Sequence, residues 1–242
     1  MKRRDMLKGL SAGSAATLVA ASFSSNASSK LLKGSSLQPG YYPCCTLTPE
    51  QPEGPYYFDA GMVHRNITEG KPGVPLELEL RVVDSTNGCQ PITDAVVDIW
   101  HCDAQGLYSG YEGQGDSGDI DTTGETFLRG VQVTDWQGLV NFQTIYPGWY
   151  YTRATHIHLS VFLDAATLVT SQIYFPDEIN ESIYTNHVAY TGRSKERVTN
   201  NENDMLLTML EDKKNDVFVE IGQDNTGFGF KAVYTIGVKL SS

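Results

Sequence analysis

The chain has 242 residues, 40% of them apolar and 19% charged, with a formal net charge of −11. That composition excludes a disordered chain, and the acidic balance excludes a nucleic-acid-binding surface, which needs clustered Lys and Arg. The length suits one domain of ordinary size, and 13 Tyr, 23 Gly and 10 Pro with short Val/Ile/Thr-rich runs point to an all-β architecture.

Residues 1–29 read as an export signal. Lys2, Arg3, Arg4 and Lys8 form a basic start, a mildly apolar Ala/Ser/Gly-rich run follows to Phe23, and Ser24 to Ser29 are small and polar. The paired arginines point to the twin-arginine export machinery, and the apolar run is too short and too polar for a stable membrane span. The expected location is therefore periplasmic or extracellular. Residues 30–70 read as a tether and an N-terminal arm, and residues 71–242 as the folded body. Within the arm, Thr48 to Phe58 holds Pro49, Pro52, Gly54 and Pro55, which precludes a regular helix or a central strand.

The body reads as about eight strands with long loops, a sandwich or barrel, and the expected fold is an antiparallel β-sandwich. Leu76 to Val83 alternates apolar and polar residues, and Ala95 to His101 is a second strand, so the two are expected to form a hairpin. Glu112 to Glu125 is a polar Gly/Asp/Ser loop. Gly130 to Thr134 and Leu139 to Gln143 flank the turn Asp135-Trp136-Gln137-Gly138, a second hairpin signal. A strand runs from His156 to about Leu163 and another from Leu168 to Phe175. Residues 177–212 are irregular, with Asn203-Asp204 able to cap a short helix over Met205 to Glu211. Val217 to Ile221 and Phe228 to Val238 complete the set.

Four cysteines, Cys44, Cys45, Cys89 and Cys102, allow three pairings. In the expected first hairpin, Cys89 and Cys102 lie at opposite ends of a strand roughly 20 Å long, too far for a bridge. That favours Cys102 bonded to one of the vicinal pair.

The chemistry centres on Tyr146 to Val161. Strand alternation places His156 and His158 on one face, which makes half of a metal site. Zinc or copper would need a third His, a carboxylate or a thiolate, and His64, His101 and His187 stand in unrelated contexts. A phenolate is a hard donor that suits Fe(III), with Tyr108, Tyr150 and Tyr151 within range, although a loop tyrosine is more often a packing residue.

A wider pattern bears on that choice. Pro147-Gly148-Trp149-Tyr150, Arg153-Ala154-Thr155-His156-Ile157-His158 and Gln172-Ile173-Tyr174-Phe175-Pro176 resemble the signature of the intradiol ring-cleavage dioxygenases. Ile99 to Tyr108 resembles the family segment that ends in the first iron tyrosine, and Thr48 to Tyr57 the arm that lines the pocket; Pro52 departs from the Thr frequent there. The smaller, exported branch of the family is the one it resembles.

The resemblance implies one mononuclear non-haem Fe(III) held by Tyr108, Tyr150, His156 and His158. It implies cleavage of a catechol by O2 between the two hydroxyl-bearing carbons, giving a muconate-type diacid. Arg153 and Gln172 would stabilise charge beside the reacting ring, and Tyr150 would also act as a base. Gly54, Pro55, Tyr56, Leu107 and Trp149 would touch the substrate. The alternative is a secreted binding protein on the same sandwich, with an inactive or structural metal site.

Overall fold

The structure, a computed structural model, describes residues 45–164 and 166–240. The export signal, the tether up to residue 44 and Cys44 lie outside the described residues.

Among the described residues, nine strands form two packed sheets. One sheet has the order β4 (Arg129–Val133), β3 (Val96–Trp100), β6 (His156–Leu163), β7 (Ala166–Tyr174), all antiparallel. In the other, β1 (Pro75–Asp84) lies between β9 (Phe230–Val238) on one side and β5 (Leu139–Ile145) with the short β2 (Gln90–Pro91) on the other. β8 (Glu220–Gln223) extends that sheet beyond β9. β1 and β9 run parallel, so this sheet is mixed and the sandwich is not wholly antiparallel as expected.

Period-2 alternation builds the core between the sheets. Leu76, Leu78, Leu80 and Val82 of β1 face Val97 and Ile99 of β3 and Ile157, Leu159 and Val161 of β6, all buried in one cluster. In β6 the alternate residues His156, His158 and Ser160 are buried as well. Both faces of this strand are covered because the N-terminal arm crosses the outer face of its sheet. Gln51 N donates to Thr170 O (2.9 Å) at the β7 edge, and Val131 N donates to Met62 O (2.9 Å) at the β4 edge.

Two expected hairpins are corrected. β1 and β3 belong to different sheets, and β4 and β5 also separate at their turn. The turn at Asp135 forms, with the Asp135 carboxylate accepting from Gln137 N (2.8 Å) and Leu139 N (2.9 Å), but it carries the chain from one sheet to the other. Local turn chemistry specifies a reversal, not which neighbour the next strand pairs with.

Residues 177–212 are more regular than expected. α1 (Asp177–Asn186) follows β7, and α2 (Met205–Thr208) is capped by Asp204 as the sequence suggests. α1 escapes sequence reading because Pro176 precedes it with no side-chain cap and only Asn180 and Ile183 are buried.

The expected pairing of Cys102 is also corrected: the bridge is Cys45–Cys89, and Cys102 is a buried free thiol. The arm enters beside the end of β9, where Thr48 N donates to Gly237 O (2.8 Å), while Cys89 N donates to Asp84 O (3.1 Å) at the end of neighbouring β1. That brings residues 45 and 89 together, and Cys102 lies at the other end of the sandwich with Trp100 and Tyr108. Removing the bridge with Cys45→Ser and Cys89→Ser is expected to cost about 2–4 kcal/mol. Urea unfolding of the oxidised chain and the double variant measures it.

Candidate metal centre on the outer sheet face

The register of the four-stranded sheet sets out the site. Arg129, Trp100, His158 and Gln172 are cross-strand neighbours in one row, and His156 and Tyr174 stand in the next. Two loops above the strand ends supply the phenols. The first turns at Asp103, whose Oδ1 accepts from Gln105 N (2.9 Å) and Leu107 N (3.0 Å), and presents Tyr108. Gln114 Oε1 accepts from Tyr108 N (3.0 Å), and Thr122 Oγ1 donates to Tyr108 O (2.6 Å), so the polar loop holds this residue. The second loop docks on the first through Gly148 N to Asp103 O (3.1 Å) and turns again between Tyr150 and Arg153. Thr152 in that turn has φ +76°, a strained conformation for a β-branched residue, and it lets Tyr150 and Arg153 approach each other.

Four donor atoms converge. His156 Nε2 stands 3.1 Å from His158 Nε2, 3.3 Å from Tyr150 Oη and 3.5 Å from Tyr108 Oη. His156 Nδ1–H donates to Ala154 O (2.7 Å), which leaves the Nε2 lone pair free. Burial, then the charge of Arg153, pushes both imidazoles well below the usual histidine range, so both are neutral. Burial, and then the neighbouring Tyr150, holds the Tyr108 phenol well above its ordinary value. Burial also raises Tyr150, to about 12, against the pull of Arg153.

Two neutral imidazoles, the buried Tyr108 phenol and the half-buried Tyr150 phenol fit a cation. Adjacent donors around an ion at roughly 2.0–2.1 Å stand about 3 Å apart, close to the spacing here, and a cation offsets the cost of ionising the phenols. Among the described residues no group of three or more His, Cys, Asp and Glu is placed to hold a metal, so the phenols are essential to such a centre.

Comparison with known proteins identifies the family. A family model described as Dioxygenase matches residues 52–215. The chain belongs to the intradiol ring-cleavage dioxygenase family. It is 29% identical to an intradiol ring-cleavage dioxygenase from Tetranychus urticae, with a TM-score of 0.70 over 81% of this chain and 95% of that one. It is 27% identical over 148 residues to catechol 1,2-dioxygenase 1 of Acinetobacter lwoffii, covering 52% of this chain and 45% of that protein. The protocatechuate 3,4-dioxygenase beta chain of Burkholderia cepacia is 34% identical over 136 residues, 50% of this chain and 55% of that one. The chain thus spans about half the length of the curated relatives it matches.

The polar residues around the centre form one network. Arg153 donates through Nη2 to Gln172 Oε1 (2.5 Å) and Tyr174 Oη (2.9 Å), and its Nη1 stands 3.5 Å from Tyr150 Oη. Its Nε donates to Asp204 Oδ2 (2.9 Å), which also accepts from Ala154 N (2.7 Å). Burial works against the guanidinium charge, but Tyr150, Tyr174 and Asp204 outweigh it and raise the Arg153 pKa. Gln172 Nε2 donates to Pro52 O (2.8 Å), which ties the arm to the network.

The arm covers the centre with glycine and aromatic residues. Gly54 has φ +78°, and a Cβ there would stand 3.2 Å from His158 Cε1, so both conformation and space favour glycine. Tyr56 stacks on Tyr108 with ring centres 4.7 Å apart, and Tyr57 lies 4.7 Å from Trp100. Trp100 in turn stacks on His158 at 5.0 Å with an interplanar angle of 6°. Pro55 is exposed, Leu107 packs against the main core, and Trp149 is buried beneath the Arg193 guanidinium, 3.7 Å from its ring centre. A cleft of ≈150 Å³ opens beside Tyr56 and Tyr150. Tyr151 points outward and is 54% exposed.

Sequence reading did not single out Trp100, Tyr174, Asp204, Asp116, Arg193 or Lys195 for the site. Only the Asp204 cap left a local signal; the others meet the site through strand register and loop docking. His101 is a packed residue, with Nε2 2.8 Å from Thr144 Oγ1, and burial pushes its pKa down to about 4.

Asp98, buried on β3, accepts from Tyr57 Oη (3.1 Å). Burial pushes its carboxyl up to about 7, against that hydrogen bond, with Asp59 adding to the rise. The folded value exceeds the ordinary 3.8, so the associated stability is present below pH 4 and is lost as pH rises towards 7. Asp98→Asn is expected to flatten that decline, read from urea midpoints across the same pH range.

Proposed function

We propose that the chain is an exported, mononuclear non-haem Fe(III) intradiol dioxygenase that opens catechols with O2, cleaving between the two hydroxyl-bearing carbons. The convergence of Tyr108, Tyr150, His156 and His158 on one point, within 3.1–3.5 Å of His156 Nε2, carries this reading. Ferric iron held there would act as a Lewis acid towards a chelated diol and draw electron density from its ring.

The chain's own groups supply the rest. Tyr150 borders the cleft, and its oxygen, ionised once a cation is held beside it, would take a proton from an incoming diol. Arg153, pinned by Asp204 and Gln172, presents a fixed positive charge beside Tyr150, where negative charge builds on the ring. Gln172, anchored to Pro52 O, keeps that guanidinium oriented. The aromatic arm, packing Tyr56 on Tyr108 and Tyr57 on Trp100, shields the centre from water. The product would be a muconate-type diacid, and the role would be catabolism of aromatic compounds.

The Cys45–Cys89 bridge supports an oxidising, periplasmic or extracellular location, reached through the twin-arginine machinery. Among the described residues no helix is long and apolar enough to cross a membrane.

Aerobic purification with iron supplied tests the reading. The expected protein holds iron, absorbs visible light through its tyrosinates and takes up oxygen with catechol. A colourless protein without iron and without oxygen uptake contradicts it. Tyr150→Phe is expected to shift the visible band, and Tyr151→Phe to leave the band in place.

A further inference from the structure

The cleft beside Tyr150 carries a charge that its own walls do not neutralise. Three ionised side chains line it: Asp116, Arg193 and Lys195. Asp116 and Arg193 form an ion pair, and Asp116 Oδ2 also accepts from Ser194 N (3.0 Å) and Lys195 N (3.1 Å). Arg193 is further committed to Trp149, donating to its carbonyl and lying over its ring. These contacts lock the Arg193–Lys195 segment to the polar loop and fix where Lys195 starts. The Lys195 ammonium has no ion pair among the described residues, and it stands 5.1 Å from the centre of the Tyr151 ring.

Two features turn that cation into a recognition element. The chain is acidic, with a net charge of −11, so a cleft wall with one uncompensated positive charge reverses the local sign. Tyr150 at the inner end is half-buried, whereas Tyr151, with Lys195 over it, is exposed at the outer end. The cation and the phenol that borders the centre thus line one cleft. Gly106, Gly113 and Gly115 also line the cleft.

We propose that the cleft selects catechols carrying a carboxylate on a side chain, with the diol towards Tyr150 and the carboxylate on Lys195. This rests on the reading of the centre as a catechol-cleaving site. An exposed charge pair is a modest effect, so the preference over a neutral analogue is expected to be roughly 3–10-fold.

The test compares 3,4-dihydroxycinnamate with its methyl ester, using the full chain, Lys195→Gln and Lys195→Glu. Affinity is read by calorimetry and kcat/KM by oxygen uptake, each as an acid-to-ester ratio. The unsubstituted chain should favour the acid, Lys195→Gln should bring the ratio near one, and Lys195→Glu should invert it. Equal handling of acid and ester, or a ratio unmoved by Lys195→Glu, overturns the inference. Preferential binding of the acid without ring opening supports it while removing the proposed function. Ring opening without preference removes it and leaves that function standing, and failure to bind either probe removes it as well.

Discussion

His156→Ala is expected to give a folded chain that retains no iron and takes up no oxygen with catechol. His156 Nε2 lies close to all three other donors, at 3.1, 3.3 and 3.5 Å. Its ring is fixed by Ala154 O at 2.7 Å, so it presents its lone pair without further ordering. Loss of an outer partner of a metal ligand lowers metal affinity about 10–100-fold, and loss of the ligand itself should exceed the upper figure. The fold should survive, because the core between the sheets is built by Ile157, Leu159 and Val161 on the other face of the strand. Iron per chain, measured beside near-ultraviolet circular dichroism, separates loss of metal from loss of fold. Full iron retention in the folded variant would place the ion elsewhere.

Asp204→Ala is expected to have the largest effect on stability. The carboxylate is fully buried and does two jobs. Oδ1 caps α2 by accepting from Leu206 N (2.9 Å) and Leu207 N (3.1 Å), while Oδ2 pairs with Arg153 Nε (2.9 Å) and accepts from Ala154 N (2.7 Å). Removing one partner of a buried pair costs about 3–5 kcal/mol, and the lost cap adds about 1 kcal/mol. Asp204→Asn keeps acceptors for the cap and should recover part of that loss. Urea unfolding of both variants gives the comparison. In the fraction that folds, Arg153 loses its tether beside Tyr150, so kcat should fall by at least about 10-fold. An Asp204→Ala chain as stable as the parent would remove the ion pair from the account.

The sequence made the centre legible where neighbours in space are also neighbours along the chain. His156 and His158 share a face because a strand alternates, and Tyr150 and Arg153 lie in the turn that leads into it. Tyr108, 48 residues from His156, was one of three candidate phenols, and only the family pattern singled it out. Asp204 lies 51 residues from Arg153, and its role as a cap was visible while its role as a counter-ion was not. The stack of Trp100 on His158 depends on β3 pairing with β6, a register that neither strand's own sequence specifies.

Strand existence and sheet membership came apart in the same way. Alternation located β1, β3, β4 and β5, but the tight turn at Asp135 suggested a hairpin where the chain changes sheets. The parallel pairing of β1 with β9 spans most of the body and leaves no local trace. That pairing also explains the disulfide. It places the arm, bonded to Gly237, beside the Cys89 loop, which spacing within the expected hairpin could not reveal.

The most direct test of the central claim is the fate of labelled oxygen. Catechol treated with the iron-loaded chain under ¹⁸O2 should yield a ring-opened muconate-type diacid carrying label from both atoms of O2, detected by mass spectrometry. Unopened catechol, or a product cleaved outside the two hydroxyl-bearing carbons, would contradict the assignment.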